Sequence, residues 1–271
     1  MSEMLNDPEF RQLLGHLGLL WKGYRRVRKG VKKRVRRHMR ALGCPDVTSY
    51  LQKLDEQEEV RLECDRLMTV PISRFFRDRM LWEMVEQEIL PQLLKKYSAG
   101  IRVWSAGCAS GEEVYSLKIV WERLGGSPRR QRDLEVTATD MNPINLQRAK
   151  AGVYPASSLK EVPEQVKAQY FVSQGGSGLH RIRSFLKRGI IWKKHNLLSD
   201  PPPRSCFHMI FLRNNLLTYY QDKLKREALG RVLGCLCKDG VLIVGSHEVL
   251  PLGTHQLLPL GSLPYVYQKR F

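Results

Sequence analysis

The 271-residue chain contains no uninterrupted apolar run of about 18 residues, the length that a membrane-crossing helix needs. Its start, MSEMLNDPEF, has neither the basic nor the apolar segment of a secretory signal. These absences predict a cytoplasmic protein with no membrane insertion, and therefore with reduced thiols. The six cysteines, Cys44, Cys64, Cys108, Cys206, Cys235 and Cys237, are scattered without a CxxC pair, so no metal site is expected. Internal repeats and low-complexity tracts are also missing. Acidic residues are missing from one place in particular: WKGYRRVRKGVKKRVRRHMR, residues 21–40, holds eleven Lys and Arg and no Asp or Glu.

What is present is enough for a folded protein, because 42% of the residues are hydrophobic. Of the formal charge of +18, residues 21–40 supply +11 and the other 251 residues +7, so the basicity is local. A local positive field selects an anionic partner by sign and leaves its chemistry open. Within the same stretch, Leu20, Tyr24, Val27, Val31, Val35, Met39 and Leu42 recur at steps of three and four. That spacing predicts one amphipathic helix, with the cations fanned over the remaining surface. Helical patterns follow at about 47–67 and 79–97, the latter with a kink at Pro91, so residues 1–90 are expected to form a helical N-terminal domain.

After Gly100 the texture changes. IRVWS is strand-like, EEVYSLKIVWERL is helical and LEVTATD is again a strand, which predicts a parallel α/β sheet. GIIWKK, HMIFL, the helix QDKLKREALGRVLGCL and VLIVGS continue the alternation, while QLLPL and YVYQKR suit a terminal antiparallel hairpin. Residues 154–188, with GGSG between FVSQ and LHRIRSF, suit a small hairpin excursion.

In such a sheet, ligands bind beyond the carboxyl ends of the strands, near the switch point. After IRVWS, the turn AGCASGEE places Gly107 and Gly111 where a backbone must turn tightly before a helix N-terminus, as in a nucleotide-cofactor loop; its GxxxG spacing differs from the dinucleotide GxGxxG. After LEVTAT, Asp140 suits either a ribose diol or the cap of a helix starting near Pro143. Asn196 and Leu197 follow one strand and Arg213 and Asn214 another, positions that read an adenine edge or form turns.

Six ordered stretches carry a more specific signal: ISRFFRD (72–78), IRVWSAGCASGEEVYS (101–116), TATDMNP (137–143), GVYP (152–155), HNLLSDPPP (195–203) and FLRNNLLTYY (211–220). In these the chain resembles the CheR-type chemotaxis-receptor glutamate O-methyltransferases. The resemblance implies a helical N-terminal domain (1–90) and a Rossmann-like class I methyltransferase domain (91–271) with a small β-subdomain at about 154–188. It implies S-adenosylmethionine as cofactor, with S-adenosylhomocysteine as product. Carried over residue by residue, the cofactor-binding residues would be Ser73, Arg77, Gly107, Glu113, Asp140, Asn196, Leu197, Arg213 and Asn214. Arg77 and Tyr219 would be the catalytic side chains, with Thr218 standing where relatives carry a Tyr. Phe75 and Phe76 are expected to pack a domain junction, and His195 and His247 to be structural. The implied partner is an acidic helical cytoplasmic surface of a chemoreceptor-like protein, docked by the basic helix of a monomer; the alternatives are a methyltransferase of RNA or another substrate, with nucleic acid the weaker partner, and a non-catalytic relative that binds the cofactor or a partner.

Overall fold

A computed structural model describes residues 5–70, 73–97, 99–125 and 134–270. The chain divides into two compact units, Met1–Val70 with Asn215–Glu227, and Pro71–Asn214 with Ala228–Phe271. The first compact unit ends at Val70, and a late segment, Asn215–Glu227, joins it.

The first unit is helical. It contains α1 (Asp7–His16), α2 (Trp21–Tyr24), α3 (Arg28–Ala41), α4 (Val47–Glu56) and α5 (Glu58–Met68). Helix α1 starts at a capping box in which Asn6 and Glu9 exchange side-chain-to-backbone bonds of 2.8 Å. The apolar stripe faces inward as its spacing requires: Val31, Val35 and Met39 are fully buried beside Phe10, Leu13 and Tyr50. Burying each such side chain stabilises the unit by roughly 1.5–3 kcal/mol.

The single helix expected over residues 21–40 is broken between α2 and α3. The cause is tertiary. The backbone N–H of Leu20 donates to the Tyr219 carbonyl at 2.7 Å, and a Cβ on Gly23 would lie 2.6 Å from the Thr218 carbonyl oxygen. The segment around α11 (Leu216–Tyr219) therefore pins this turn, whereas Gly30 sits inside α3 without interrupting it. The pattern at 47–67 likewise divides, at Gln57, whose backbone is extended (φ −129°, ψ 106°).

The second unit begins with α6 (Arg79–Met84), a π-helical turn (Val85–Ile89) and α7 (Leu90–Lys96). The π turn lies just ahead of Pro91, where a kink was expected. Seven strands then build one sheet: β1 (Ile101–Ala106), β2 (Leu134–Asp140), β6 (Ile190–Lys194), β7 (Phe207–Leu212), β8 (Leu236–Val244), β9 (Leu257–Pro259) and β10 (Val266–Lys269). Their order is β6-β2-β1-β7-β8-β10-β9; the first five run parallel, and β10 runs antiparallel to both of its neighbours, β8 and β9. The chain runs outward from β1 to β2 and β6 and then returns to the other side of β1 as β7, so the switch point lies between β1 and β7. Helices α8 (Glu112–Arg123), α9 (Pro143–Ala151) and α12 (Asp222–Gly234) accompany the strands.

The excursion from the sheet is a three-stranded antiparallel sheet, β3 (Val153–Pro155), β5 (Leu179–Ile182) and β4 (Phe171–Ser173), with α10 (Glu164–Tyr170). This is the mixed α/β architecture of class I methyltransferases, with helices ahead of the sheet. Among the described residues no helix is long and apolar enough to cross a membrane. One expectation fails: Cys206 and Cys237 form a disulfide with Cα atoms 5.1 Å apart, while Cys44, Cys64, Cys108 and Cys235 are free and buried. The pair was invisible in the sequence because the pairing of β7 with β8, and not chain proximity, brings it together.

Candidate functional site

The turn after β1 is the first element of the site. Gly107 (φ 83°), Ala109 (φ 47°) and Gly111 (φ 90°) are all left-handed, which folds the backbone tightly under the start of α8. A Cβ on Gly111 would approach the Ala149 Cβ to 2.9 Å and the Tyr154 hydroxyl to 3.2 Å, so that position requires glycine on both backbone and steric grounds. The Tyr154 hydroxyl donates to the Ser110 carbonyl at 2.8 Å, and the N–H groups of Gly107 and Cys108 both donate to the Thr139 carbonyl at 2.8 Å. The end of β2 thereby fixes the turn after β1.

Asp140 is the second element. Its Oδ2 accepts the Ala109 N–H at 2.9 Å, and its Oδ1 accepts the Asn142 N–H at 2.8 Å and the Asn145 side-chain amide at 3.2 Å. A carboxylate offers about four acceptor positions, so about one remains, on Oδ2. Burial raises the pKa of this carboxyl above the usual range, and the three hydrogen bonds oppose that shift. The alternative role as helix cap falls to a different residue: Asn142 caps α9, its side chain accepting the Ile144 N–H at 3.0 Å.

A chain of charges forms the third element, at the ends of β1 and β7. Ser105 donates to Glu113 Oε1 at 2.7 Å, and Glu113 Oε2 pairs with the Arg213 guanidinium at 3.2 Å. Arg213 also binds the Asp78 carboxylate and reaches the Arg77 carbonyl at 3.3 Å. Its side chain is only 4% exposed, so this pairing is shielded from solvent. The Arg77 guanidinium donates to Asn214 Oδ1 at 3.2 Å. Phe76, Asp78 and Asn214 adopt positive φ without being glycine (52°, 65° and 55°), as Ala109 does. Four such residues around one set of strand ends mark a locally strained backbone that the surrounding bonds hold in place.

Other predicted residues lie in supporting positions. Ser73 hydrogen-bonds to Glu112, whose pKa is raised by burial. Asn196 uses its side chain locally, accepting the Leu198 N–H at 3.0 Å, and its own N–H donates to Asp200 at 3.0 Å; the Leu197 carbonyl accepts from Arg231 at 3.1 Å. Phe75 packs edge-on against Tyr154 and Phe171, with centroids 4.9 and 5.0 Å away, and Phe76 against Trp82 at 5.9 Å, all within the second unit. His195 is buried edge-on to Trp104, and burial lowers its pKa. Tyr219 belongs to the first unit, where its ring lies 4.9 Å from Tyr24.

Two acids escaped sequence reasoning. Glu248 Oε2 accepts the N–H groups of Asn214 (2.9 Å) and Gly245 (2.7 Å), tying the loop after β7 to the loop after β8. Glu112 is 5% exposed and its Oε2 has no partner among the described residues. The doubled acid in GEE and the acid shortly after VLIVG were the available signals.

The stretch 72–264, which carries all of these strand ends, matches the family model described as the CheR methyltransferase, SAM binding domain. The chain belongs to the CheR family. It is 35% identical to a chemotaxis protein methyltransferase of Listeria innocua over 67% of this chain and 66% of that one. It is 28% identical to chemotaxis protein methyltransferase 1 of Pseudomonas aeruginosa over 81% of each. It is also 32% identical, over 81% of its own length, to an uncharacterised 104.1 kDa protein of Rhodobacter capsulatus, of which it spans 23%. A CheR domain binds S-adenosylmethionine, and the donors and acceptors at these strand ends fit that group: an acidic acceptor at the end of β2, a tight glycine turn after β1, and a carboxylate on the first turn of α8.

Proposed function

We propose that this CheR-family chain transfers the methyl group of S-adenosylmethionine to glutamate side chains of a chemoreceptor-like protein, forming methyl esters. The observation that carries this reading is the cluster Asp140, Glu113–Arg213–Asp78 and Arg77–Asn214 at the ends of β1, β2 and β7, inside the stretch that matches the family. The bound cofactor supplies an electrophilic methyl group on a sulfonium. Asp140 would hold the ribose through the acceptor position left on Oδ2, the Gly107–Gly111 turn would hold the amino-acid end, and Asn196 and Leu197 would border the adenine.

A glutamate carboxylate with a pKa of about 4.3 is ionised at neutral pH and already nucleophilic, so the reaction needs no general base. What remains for the protein is to align the carboxylate oxygen with the methyl group and to replace its water by fixed donors, together several kcal/mol. Arg77 suits the replacement of water, because Asn214 holds its guanidinium, which presents a planar fork to a carboxylate. Arg213 is held by Asp78 and Glu113 through its two terminal nitrogens and so positions Glu113, while its buried Nε keeps it a candidate for the cofactor pocket. Tyr219 remains an acceptor-side candidate.

The basic stretch supports an anionic partner. Of its eleven cations, Arg28 and Lys32 pair with Asp7, Arg34 donates to the Leu67 and Thr69 carbonyls, and Arg36 is buried. Lys22, Arg25, Arg26, Lys29, Lys33, Arg37 and Arg40 stay exposed. Seven exposed cations without an interleaved acid favour docking to an acidic helical surface. The test is incubation with S-adenosylmethionine and a receptor cytoplasmic fragment, followed by peptide mass mapping. Methyl groups on glutamates are expected; methylation of RNA, or cofactor binding with no transfer, would overturn the reading.

A further inference from the structure

At the amino ends of the strands, opposite the cofactor loops, β1, β7 and β8 bring together a second chemical cluster. Cys206 and Cys237, joined as a disulfide, lie with His208 at the wall of an open cavity of about 560 Å³ that is also lined by Lys96, Tyr97, Arg102, Lys238 and Asp239. We propose that the Cys206–Cys237 disulfide is a thiol-exchange site that takes a small anionic thiol of the glutathione class. This does not rest on the methyl-transfer reading.

Three observations carry it. Both sulfurs belong to half-buried residues facing the cavity, whereas the four other cysteines are buried. The cavity is cationic, because Lys96, Arg102 and Lys238 face a single acid, Asp239, which Lys96 already binds. A thiol carrying carboxylates therefore matches it in charge. Finally, the Arg102 guanidinium approaches Cys206 Sγ to 3.6 Å and is anchored on the Cys206 carbonyl at 3.0 Å. A fixed cation there stabilises Cys206 as a thiolate, which makes it the better leaving group.

The exchange follows from that asymmetry. An incoming thiolate attacks Cys237 Sγ, a mixed disulfide forms, the Cys206–Cys237 bond breaks, and its electron pair stays on Cys206 beside Arg102. A second thiolate attacks the outer sulfur, releasing the symmetrical small-molecule disulfide and the Cys237 thiolate. Two thiols are oxidised, one protein disulfide is reduced, and the two thiol protons balance the two protein thiolates. The same residues suit a metal ion poorly, although their donor atoms lie within 4.8 Å of one another. His208 Nδ1 faces the Arg102 N–H at 3.1 Å and Nε2 faces the Arg102 guanidinium at 3.0 Å. A neutral imidazole has one lone pair, and a cation placed on it would meet the guanidinium.

The test follows the oxidised full-length chain, under native conditions with reduced glutathione, by intact mass and peptide mapping. Conversion to the dithiol is expected, with Cys206→Ser trapping one glutathione on Cys237 when oxidised glutathione is supplied. Arg102→Gln should slow the exchange about tenfold. Because that variant disturbs the end of β1, Lys238→Gln provides a second arm: it should slow reaction with glutathione several-fold and leave reaction with neutral 2-mercaptoethanol unchanged. A bridge that resists glutathione until the chain is denatured would overturn the proposal, as would a dithiol form that retains one zinc ion per chain and loses it in His208→Gln.

Discussion

The two units treat charge in opposite ways. In the first, seven cations of the basic stretch point outward, and the stability of the unit comes from an apolar stripe beneath them. In the second, the guanidinium of Arg213 is almost wholly enclosed and held between Asp78 and Glu113. Exposed charge contributes little to stability and much to encounter with a partner, because solvent and salt screen it at contact range but its field extends outward. Enclosed charge does the reverse: it fixes geometry, and removing one member strands the others. On the proposed function, substitutions in the first unit should alter partner selection, and those in the second cofactor binding and chemistry.

This contrast is most severely tested at Arg213. Arg213→Met should leave Asp78 and Glu113 without a counter-charge and destabilise the protein by about 3 kcal/mol, read as a lower urea midpoint; a midpoint unchanged from wild type would mean that the pairing is not structural. Asp140→Ala comes next. It removes the acceptor of the Ala109 and Asn142 N–H groups together with the proposed ribose contact, and should weaken S-adenosylmethionine binding about 100-fold by calorimetry, with the circular dichroism spectrum preserved. Unaltered affinity would refute the ribose assignment.

A smaller and differently shaped effect is expected in the first unit. The triple change Lys29→Gln, Lys33→Gln and Arg37→Gln should raise KM for a receptor fragment about tenfold at low salt, with the gap closing as salt rises, while cofactor affinity and melting temperature stay at wild-type values. A fall in kcat with constant KM would place these residues in the chemistry instead. The smallest effect concerns pH. Burial and the Arg102 charge press the His208 pKa from 6.5 to about 4. Below pH 6.5 the unfolded chain takes up a proton that the folded imidazole refuses, so the stabilisation is present above 6.5 and lost as pH falls towards 4. Solvent screening at this half-desolvated ring reduces the full effect of the shift, so wild type should lose about 1 kcal/mol more than His208→Gln across that window; parallel curves would show that His208 does not titrate differently on folding.

Much of the second unit was legible because its signals are local. The strand runs, the β1 turn and the strand-end residues Asp140, Arg213 and Asn214 all follow from alternation in the sequence and from where a parallel sheet binds ligands. What was illegible depends on distant partners. Nothing near Gly23 announces that the Thr218 carbonyl will crowd it and divide the basic helix, and nothing near Cys206 announces Cys237 on the neighbouring strand. Asp140 looked like a cap because Pro143 follows it, yet Asn142 is one residue closer to the helix and takes the cap, leaving Asp140 to hold the β1 turn. Arg213 was visible as a strand-end cation, but its pairing with Asp78 and Glu113 was not, because both acids lie far from it in the sequence.

The most direct test of methyl transfer to a carboxylate is the fate of the label. After incubation with methyl-labelled S-adenosylmethionine and an acidic helical receptor fragment, mild alkali should release the label as methanol, and replacing the acceptor glutamates with alanine should abolish it. Label that resists alkali, or its absence from a protein that binds the cofactor, would contradict the account.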